Sequence, residues 1–343
     1  MTTERLTTEL GDIMKAGEII REGGLVAFPT ETVYGLGANA LDARAVRSVY
    51  RAKGRPSDNP MIVHIADLRG LYPLVRGGRE GVPEAAHKAA ARIWPGPLTM
   101  IFHKSDLVPY ATTGGLETVA VRMPSNETAR RLIAAADRPI AAPSANLSGR
   151  PSPTTAEDVL EDMDGRIDAV IMGEQCDVGI ESTVLDLTGS VPTILRPGVI
   201  TAEVLSDVLE CEVVYYKALF EKPSETADPE DGVAVTEFRP KSPGMKYRHY
   251  SPKARVILIE ATDEDFNKKA RVAGIAAMRR GLKPAVIDYG DDERKAAHNL
   301  FADLRELDRR GYDIIYIRTL EESGLGFSVM NRMLKSAGYD VVK

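Results

Sequence analysis

Two groups of cationic and small polar residues, far apart in the chain, have the composition of phosphate-binding loops. Lys53-Gly54-Arg55 forms the first group, with Ser57 close behind it, and Ser144-Ala145-Asn146 forms the second. Arginine offers a planar fork of donors and lysine a compact point charge, and both suit phosphate oxygens. An ordinary helix end, at which Lys53 and Arg55 face the negative end of the helix dipole, explains the first group equally well.

Arg122 is a third candidate because it interrupts an apolar run over residues 119–123. A buried arginine is costly unless an anion compensates its charge. The partner can be a protein carboxylate, such as Asp137 or Glu181, or the carboxylate of a small substrate. The sequence leaves both possibilities open, and we favour the substrate.

The overall composition limits the class of protein. The chain has 343 residues, of which 43% are hydrophobic and 27% charged, and a net charge of −6. These values are typical of a globular protein long enough for two domains, in which a nucleotide site must be a local basic patch. The N-terminus does not resemble a signal peptide, no apolar run could span a membrane, and Cys176 and Cys211 form no disulfide framework, so we expect a cytoplasmic protein.

Several catalytic motifs are absent from the sequence. It contains no G-x-x-x-x-G-K-[ST], no G-x-S-x-G and no H-E-x-x-H, which excludes P-loop enzymes and two large hydrolase classes. Residues 35–40 match the letters of a dinucleotide fingerprint, but polar residues separate them from the preceding strand, so we reject the match. The five histidines lack metal-ligand spacing, and we predict no metal site made by protein residues.

The candidate residues stand at the ends of short predicted elements. An apolar strand over residues 25–28 precedes a polar glycine loop over 30–39, and a helix capped by Asp42 ends near Gly54. A strand over residues 139–143 precedes Ser144, and ligands gather at strand ends in α/β folds. The pattern also predicts helices over residues 4–22, 85–94, 126–136, 156–163 and 202–209, and strands over 61–65, 98–102, 119–123, 169–172, 184–187 and 192–195.

Two of these elements carry specific expectations. The helix over residues 4–22 should bury one face that includes Leu10 and Met14. Trp94, beside a Pro-Gly-Pro turn, should be a core residue rather than a platform for a ligand.

The second half of the chain begins with polar sequence. Residues 221–232 lack apolar periodicity and are typical of a flexible linker. Cations interleaved with tyrosines then fill residues 239–255, which have no acidic residue. This basic segment can be a solvated tail, a nucleic-acid patch or a lid over a nucleotide site.

From residue 256 onward, strands and helices alternate. Strands are predicted over 256–260, 285–289 and 313–317, and helices over 263–280, 292–309 and 328–336. This alternation predicts a small, Rossmann-like parallel sheet with helices on both faces.

The motifs taken together resemble a known family. The segments PTETVYGLGANA, DNPMIVHI, WPGPLT, VAVRMP, PIAAPSAN, SGRPSPT, GIESTV and ILRPG occur in the order found in the YrdC-like domain of threonylcarbamoyl-AMP synthases, with its K-x-R … S-x-N signature. SPGMKYRHYSP and GLGFSVMNR resemble the linker and extra domain of the longer synthases. The resemblance implies a twisted, mixed open sheet with helices over residues 1–217, a linker acting as a lid over 218–253 and a C-terminal α/β domain over 254–343.

Such enzymes combine L-threonine, bicarbonate or CO2, and ATP with Mg²⁺ to give threonylcarbamoyl-AMP and pyrophosphate, the first step of N6-threonylcarbamoyladenosine formation at tRNA position 37. The resemblance implies a downstream threonylcarbamoyl transferase machinery as partner and only indirect or weak contact with tRNA. The signature residues would carry catalysis. ATP would be bound by Lys53, Arg55, Ser57, Thr113, Ser144, Asn146, Ser152, Arg196 and the linker residue Tyr247, and threonine by Thr30, His64, Arg122, Ala142 and Ser182.

Two other functions remain as alternatives. An RNA-binding module would use the basic segment to hold structured RNA and would make no adenylate. An enzyme that transfers a carbamoyl group from carbamoyl phosphate would also need a phosphate cradle, but it would not need ATP and bicarbonate. The ordered motifs favour the synthase over both.

Overall fold

The computed structural model describes residues 2–219 and 250–343, apart from the side chains of residues 263 and 264. Tyr247 and most of the basic segment 239–255 lie outside the described residues, so their predicted roles stay predictions. In the described residues, two separate sheets organise the chain.

A mixed sheet of eleven strands forms the first part of the protein. In chain order its strands are β1 (Glu4–Leu6), β2 (Val26–Phe28), β3 (Gly35–Asn39), β4 (Ile62–His64), β5 (Leu98–His103), β6 (Thr118–Arg122), β7 (Ile140–Ala141), β8 (Ala169–Ile171), β9 (Thr183–Asp186), β10 (Thr193–Arg196) and β11 (Val214–Tyr215). Their spatial order is β1-β8-β2-β3-β7-β4-β6-β5-β9-β10-β11. Neighbours are parallel in some pairs and antiparallel in others, which confirms the mixed open sheet.

Seven α-helices accompany this sheet in the described residues. They are α1 (Leu10–Arg21), α2 (Ala43–Lys53), α3 (Glu84–Ile93), α4 (Tyr110–Thr113), α5 (Glu127–Ala136), α6 (Ala156–Met163) and α7 (Ala202–Leu209). The Asp42 carboxylate accepts a 2.7 Å hydrogen bond from the backbone N–H of Arg44, and Gly54 ends α2 with a left-handed φ of 62°. The predicted cap and end of α2 are both confirmed.

Both faces of the large sheet are buried. Along β2, Ala27 joins a cluster that contains residues of α2 and α3, whereas Val26 and Phe28 join a cluster with α1 and α5. Trp94 is buried in the first cluster and its Nε1 donates to the carbonyl of Leu98 at 2.6 Å. Its predicted role as a core residue is confirmed.

The prediction of one helix over residues 4–22 was wrong. Residues 4–6 form β1, parallel to β8, and the helix begins only at Leu10. Leu10 and Met14 are 63% and 49% exposed, because the buried face instead consists of Ile13, Ala16, Gly17 and Ile20. Gly17 allows close contact with α5, since a Cβ there would lie 2.7 Å from the carbonyl carbon of Ala135.

The prediction of a loop throughout residues 30–39 was also wrong at its second half. Gly35–Asn39 form β3, antiparallel to β2. Gly37 serves packing within the sheet rather than a turn, because a Cβ there would lie 2.8 Å from Cγ2 of Ile140. A bridge between Gly35 and Ser144 brings the second candidate group to the end of this strand.

The second sheet confirms the parallel α/β prediction. Its strands are β12 (Arg255–Ile259), β13 (Pro284–Ile287), β14 (Ile314–Arg318) and β15 (Val341–Val342), in the order β13-β14-β12-β15, and all pairs are parallel. Its helices are α8 (Asp263–Arg279), α9 (Glu293–Arg309) and α10 (Gly324–Ser336), with α8 on one face and α9 and α10 on the other. In the described ranges, no helix has the length and apolar character needed to cross a membrane.

The two parts share a buried interface. Val33 and Ile180 of the first part lie in one apolar cluster with Phe301 of α9, and the ring of Tyr250 stacks on Phe301 with centroids 5.0 Å apart. Gly179 has a φ of +81°, and a Cβ there would lie 2.4 Å from the carbonyl oxygens of two residues of α9. The contact between α9 and the first part is therefore too close for a side chain at position 179.

Candidate functional site

One cavity collects most of the residues singled out in the sequence. It opens at the ends of β3, β4 and β7 and reaches the start of the second part of the chain through Tyr250. The expected site residues that line it are Thr30, Lys53, Arg55, His64, Arg122, Ala142, Ser144, Asn146, Ser152 and Arg196. The two signature groups, remote in sequence, thus meet in one place.

Lys53 connects the two halves of the K-x-R … S-x-N signature. Its Nζ donates hydrogen bonds to the backbone carbonyls of Ser144 and Asn146, and the Ser144 hydroxyl donates to the side-chain oxygen of Asn146. The Asn146 amide in turn donates to the carbonyl of Arg150 at 2.8 Å. Burial, followed by the nearby charge of Arg55, lowers the pKa of Lys53 well below its ordinary value. An anion bound beside it would reverse that effect.

Arg55 and Arg196 are cations whose hydrogen-bond partners in the described residues are neutral oxygens. Arg55 donates to the carbonyls of Asn59 and Pro60, the latter at 3.1 Å. Arg196 donates to the carbonyl and the hydroxyl of Ser182 at 3.0 and 3.1 Å. Burial lowers the pKa of each guanidinium to about 10. Both remain charged at neutral pH, and a bound anion would offset the cost of burying them.

The other cations of the cavity are already paired with carboxylates. Arg150 contacts Asp162 and, at 2.7 Å, Glu161. Arg122, which is 4% exposed, lies 2.8 Å from a carboxylate oxygen of Glu31. The cavity therefore has an electropositive side around Lys53, Arg55 and Arg196 and a charge-balanced side around Arg122.

Glu31 replaces the protein partners that the sequence suggested for Arg122. Asp137 ends α5 and pairs with Arg138, and Glu181 pairs with Arg332, so neither of these acids compensates Arg122. The Nη1 of Arg122 donates a hydrogen bond to the Thr32 hydroxyl at 2.8 Å. The sequence could not identify this pair because Glu31 and Arg122 meet only after β6 is placed in the sheet.

Neutral polar groups surround Arg122. His64 is 3% exposed, and its Nδ1 has no hydrogen-bond partner in the described residues. Burial, followed by the positive charge of Arg122, lowers the pKa of His64 to about 3, so the ring is neutral at physiological pH. The Thr30 hydroxyl donates to the carbonyl of Val33 at 2.7 Å and lies 2.9 Å from the hydroxyl of Thr32. This side can accept a small molecule with a carboxylate and a hydroxyl group.

Of the expected site residues that the structure describes, three do not line the cavity. Ser57 is exposed. The Thr113 hydroxyl is buried and donates to the carbonyl of Leu116 at 2.8 Å, within the turn that ends α4. Ser182 lies behind the cavity, where its hydroxyl bonds both Thr99 and Arg196. A direct ligand role for these three residues stays a prediction, and Ser182 contacts the cavity-lining Arg196.

Sequence reasoning missed several residues of the cavity wall, among them Thr32, Arg150, Glu181 and Tyr250. Thr32 lies two residues after the predicted site residue Thr30, and Glu181 directly precedes the predicted site residue Ser182. Their position in these segments was the signal that could have identified them. Tyr250 lies three residues beyond the tyrosine expected to close the site. Burial, followed by the negative charge of the nearby Glu181 carboxylate, raises the pKa of Tyr250.

The described residues offer no protein cage for a metal ion. No group of three or more histidine, cysteine or acidic side chains in them has metal-binding geometry. Glu181 is the acid in the cavity wall, and Arg332 and Ser152 already occupy its carboxylate oxygens. These residues fit a magnesium ion that arrives on the phosphates of a nucleotide and is held by them and by water.

Comparisons with known proteins show which family the chain resembles. A family model for Sua5, YciO and YrdC, described as "Telomere recombination", matches residues 18–198, and the model "Threonylcarbamoyl-AMP synthase, C-terminal domain" matches residues 200–338. Threonylcarbamoyl-AMP synthase from Pyrococcus abyssi is 46% identical over 96% of this chain and 94% of its own. The synthase from Bacillus subtilis is 40% identical over 99% of this chain and 97% of its own.

A solved structure agrees with these matches. The crystal structure of Sua5 from P. abyssi in complex with L-threonine aligns with a TM-score of 0.89 and 44% identity over 100% of this chain and 99% of that chain. The agreement extends over both sheets, so it covers the form with an additional C-terminal domain. The chain therefore belongs to the threonylcarbamoyl-AMP synthase family.

Proposed function

We propose that the protein is an L-threonylcarbamoyladenylate synthase, which converts L-threonine, bicarbonate or CO2, and ATP into threonylcarbamoyl-AMP and pyrophosphate. The observation that carries the proposal is the cluster of Lys53, Arg55 and Arg196, three buried or half-buried cations bound to neutral oxygens. Such a cluster suits a polyphosphate. The family supports the same reaction as the first step of N6-threonylcarbamoyladenosine formation at tRNA position 37.

The reaction needs no nucleophile from the protein. The threonine amine adds to CO2 and loses a proton, giving a carbamate, and a carbamate oxygen then forms a bond to the α-phosphorus of ATP. The bond between that phosphorus and the bridging oxygen breaks, and pyrophosphate leaves with the electron pair. The cationic side of the cavity would position the phosphates and offset their growing charge, and magnesium would enter as part of the substrate MgATP.

The charge-balanced side suits the amino acid. Arg122 would bind the threonine carboxylate, and Thr30 and neutral His64 would contact the rest of the molecule. A neutral imidazole adds no repulsion to the threonine amine, which must also be neutral to react. The product would pass to a threonylcarbamoyl transferase machinery in the cytoplasm, and this chain would meet tRNA indirectly or weakly.

The experiment that tests the proposal measures pyrophosphate release with and without L-threonine and bicarbonate. We expect release to require both. Arg55→Met should raise the KM for ATP about 10- to 100-fold, the value of a lost charged hydrogen bond, and change the KM for threonine less than about threefold. Arg122→Met should do the reverse. Arg92→Met removes an exposed arginine remote from the cavity and serves as the matched control.

Other outcomes would identify another function. Release that ignores threonine would indicate a different amine acceptor or a pyrophosphohydrolase. Absence of release, together with RNA binding that weakens steeply with salt, would favour the RNA-binding alternative. A carbamoylated product made from carbamoyl phosphate without ATP would favour the carbamoyl transferase.

A further inference from the structure

A buried arginine of the second part of the chain reaches the wall of the nucleotide cavity. Arg332 lies on α10, and its side chain is 0% exposed. Its Nη1 donates to the carbonyl of Pro197, directly after Arg196, and its Nε lies 3.2 Å from a carboxylate oxygen of Glu181. One guanidinium thus contacts two segments that line the cavity.

Glu181 links Arg332 to another residue of the site. Its second carboxylate oxygen accepts a 2.7 Å hydrogen bond from the hydroxyl of Ser152. Burial raises the pKa of Glu181, but the charges of Arg332 and Arg196, with the Ser152 hydrogen bond, lower it more, so the net pKa lies below its ordinary value. Glu181 is therefore an anion inside a cavity that would bind a polyanion.

The same helix fixes the turn that follows Arg196. The Ser328 hydroxyl, one helical turn before Arg332, donates to the carbonyl of Gly198 at 2.8 Å. Gly198 lies so close to β9 that a Cβ there would be 2.4 Å from the backbone nitrogen of Thr183. The turn over residues 197–198 is thereby held between α10 and β9.

A role limited to domain docking does not account for this geometry. Docking ion pairs already exist on α9, where the buried Arg305 contacts Asp162 and the partly exposed Arg309 contacts Asp158, both at 2.8 Å. A fully buried pair is costly to form and contributes little net stability compared with apolar packing. Arg332 instead compensates a carboxylate that would otherwise repel the phosphates of the nucleotide.

We propose that Arg332 is a positioning residue of the nucleotide site, which neutralises Glu181 and holds the turn after Arg196 from the second part of the chain. The proposal rests on the proposed function, because it assigns Arg332 to the ATP side of that site. Its removal should weaken ATP binding chiefly through the uncompensated charge of Glu181. The threonine side, around Arg122, should be unaffected.

A double-mutant cycle tests this mechanism. Arg332→Met should raise the KM for ATP, and the dissociation constant for ATP measured by calorimetry, at least tenfold, with less than a threefold change in the KM for threonine. In a Glu181→Gln background, the same change should cost at most about threefold, because no charge remains to be compensated. Arg309→Met, an ion-pair deletion at the same interface, should leave both KM values within about twofold.

Two results would overturn the proposal. One is an equal effect of Arg332→Met in both backgrounds, which is the signature of a docking role. The other is an unchanged ATP affinity in Arg332→Met. Direct ATP binding separates this test from the proposed function: if the wild type binds ATP without releasing pyrophosphate in response to threonine, the synthase proposal fails, whereas the cycle still reports on Arg332.

Discussion

At Arg122 the site keeps a cation and a carboxylate in contact while both are buried. The sequence indicated that Arg122 needs an anion, because a charge in an apolar strand is costly, but the identity of the anion depended on tertiary structure. The same limit applies to Lys53, whose type suggested a phosphate contact and whose Nζ bonds the carbonyls of Ser144 and Asn146. Residue type suggested a chemistry for the cavity that stays a prediction, and only the fold supplied the partners of each side chain.

His64 provides a prediction at this scale. Its pKa is about 3 in the folded protein, mainly because of burial, and near 6.5 in an unfolded chain. Between these values the unfolded state binds more protons, so the free energy of unfolding decreases as the pH falls from 6.5 towards 3. The slope from this residue is at most about 1.4 kcal/mol per pH unit.

Urea denaturation at a series of pH values checks the effect. His64→Gln should flatten the dependence between pH 6.5 and 5, above the range in which Glu31, whose pKa is lowered, begins to bind protons. Parallel curves for the wild type and the variant over that range would contradict the assignment.

At the scale of elements, α2 delivers the first signature group. The sequence predicted the cap at Asp42 and the end at Gly54 because both depend on local backbone chemistry. It did not predict that Gly35–Asn39 form a strand, because glycine there serves the close packing of β3 against its neighbours. Local signals thus located α2, which begins and ends with a cap, and missed β3, which is defined by packing.

Gly54 allows a prediction about α2. Its φ is 62° and a Cβ would meet no atom within 4 Å, so Gly54→Ala should cost only the backbone strain, about 1–2 kcal/mol. Because Gly54 stands between Lys53 and Arg55, relief of that strain should displace Arg55 and raise the KM for ATP severalfold.

Gly281 offers the matched control. Its φ is 76° with equally open space, and it follows α8, remote from the cavity. Gly281→Ala should lose similar stability in urea denaturation without a change in the KM for ATP. Equal KM values for the two variants would mean that the turn at Gly54 does not position Arg55.

At the scale of the whole molecule, helices α9 and α10 of the second part contact segments that line the cavity of the first part. The alternation of strands and helices predicted the second sheet, since each element there follows its own periodicity. The interface was beyond such reasoning. Arg305 of α9 is 1% exposed, and its Nη2 contacts Asp162 at 2.8 Å and the carbonyl of Pro151 at 2.7 Å, one residue before Ser152.

Arg305 gives a prediction for the interface. Arg305→Met would remove one of the two arginines that compensate the buried Asp162, the other being Arg150, and should lower the free energy of unfolding by about 3 kcal/mol. Arg309→Met, with 41% of its side chain exposed, should cost less than about 1 kcal/mol. Urea denaturation followed by the fluorescence of Trp94 measures both, and equal losses would contradict a special role of Arg305.

The close contact at Gly179 constrains how the two parts of the chain can change in evolution. Any side chain there would meet the carbonyl oxygens of Ala297 and His298, so a substitution requires α9 to retreat, and a retreat of α9 withdraws Arg305 from Pro151. Homologues could exchange their second halves only when the incoming α9 preserves this close contact. Substitutions in the GIESTV segment and in α9 should therefore occur together in homologues, although more than a hundred residues of sequence lie between the two segments.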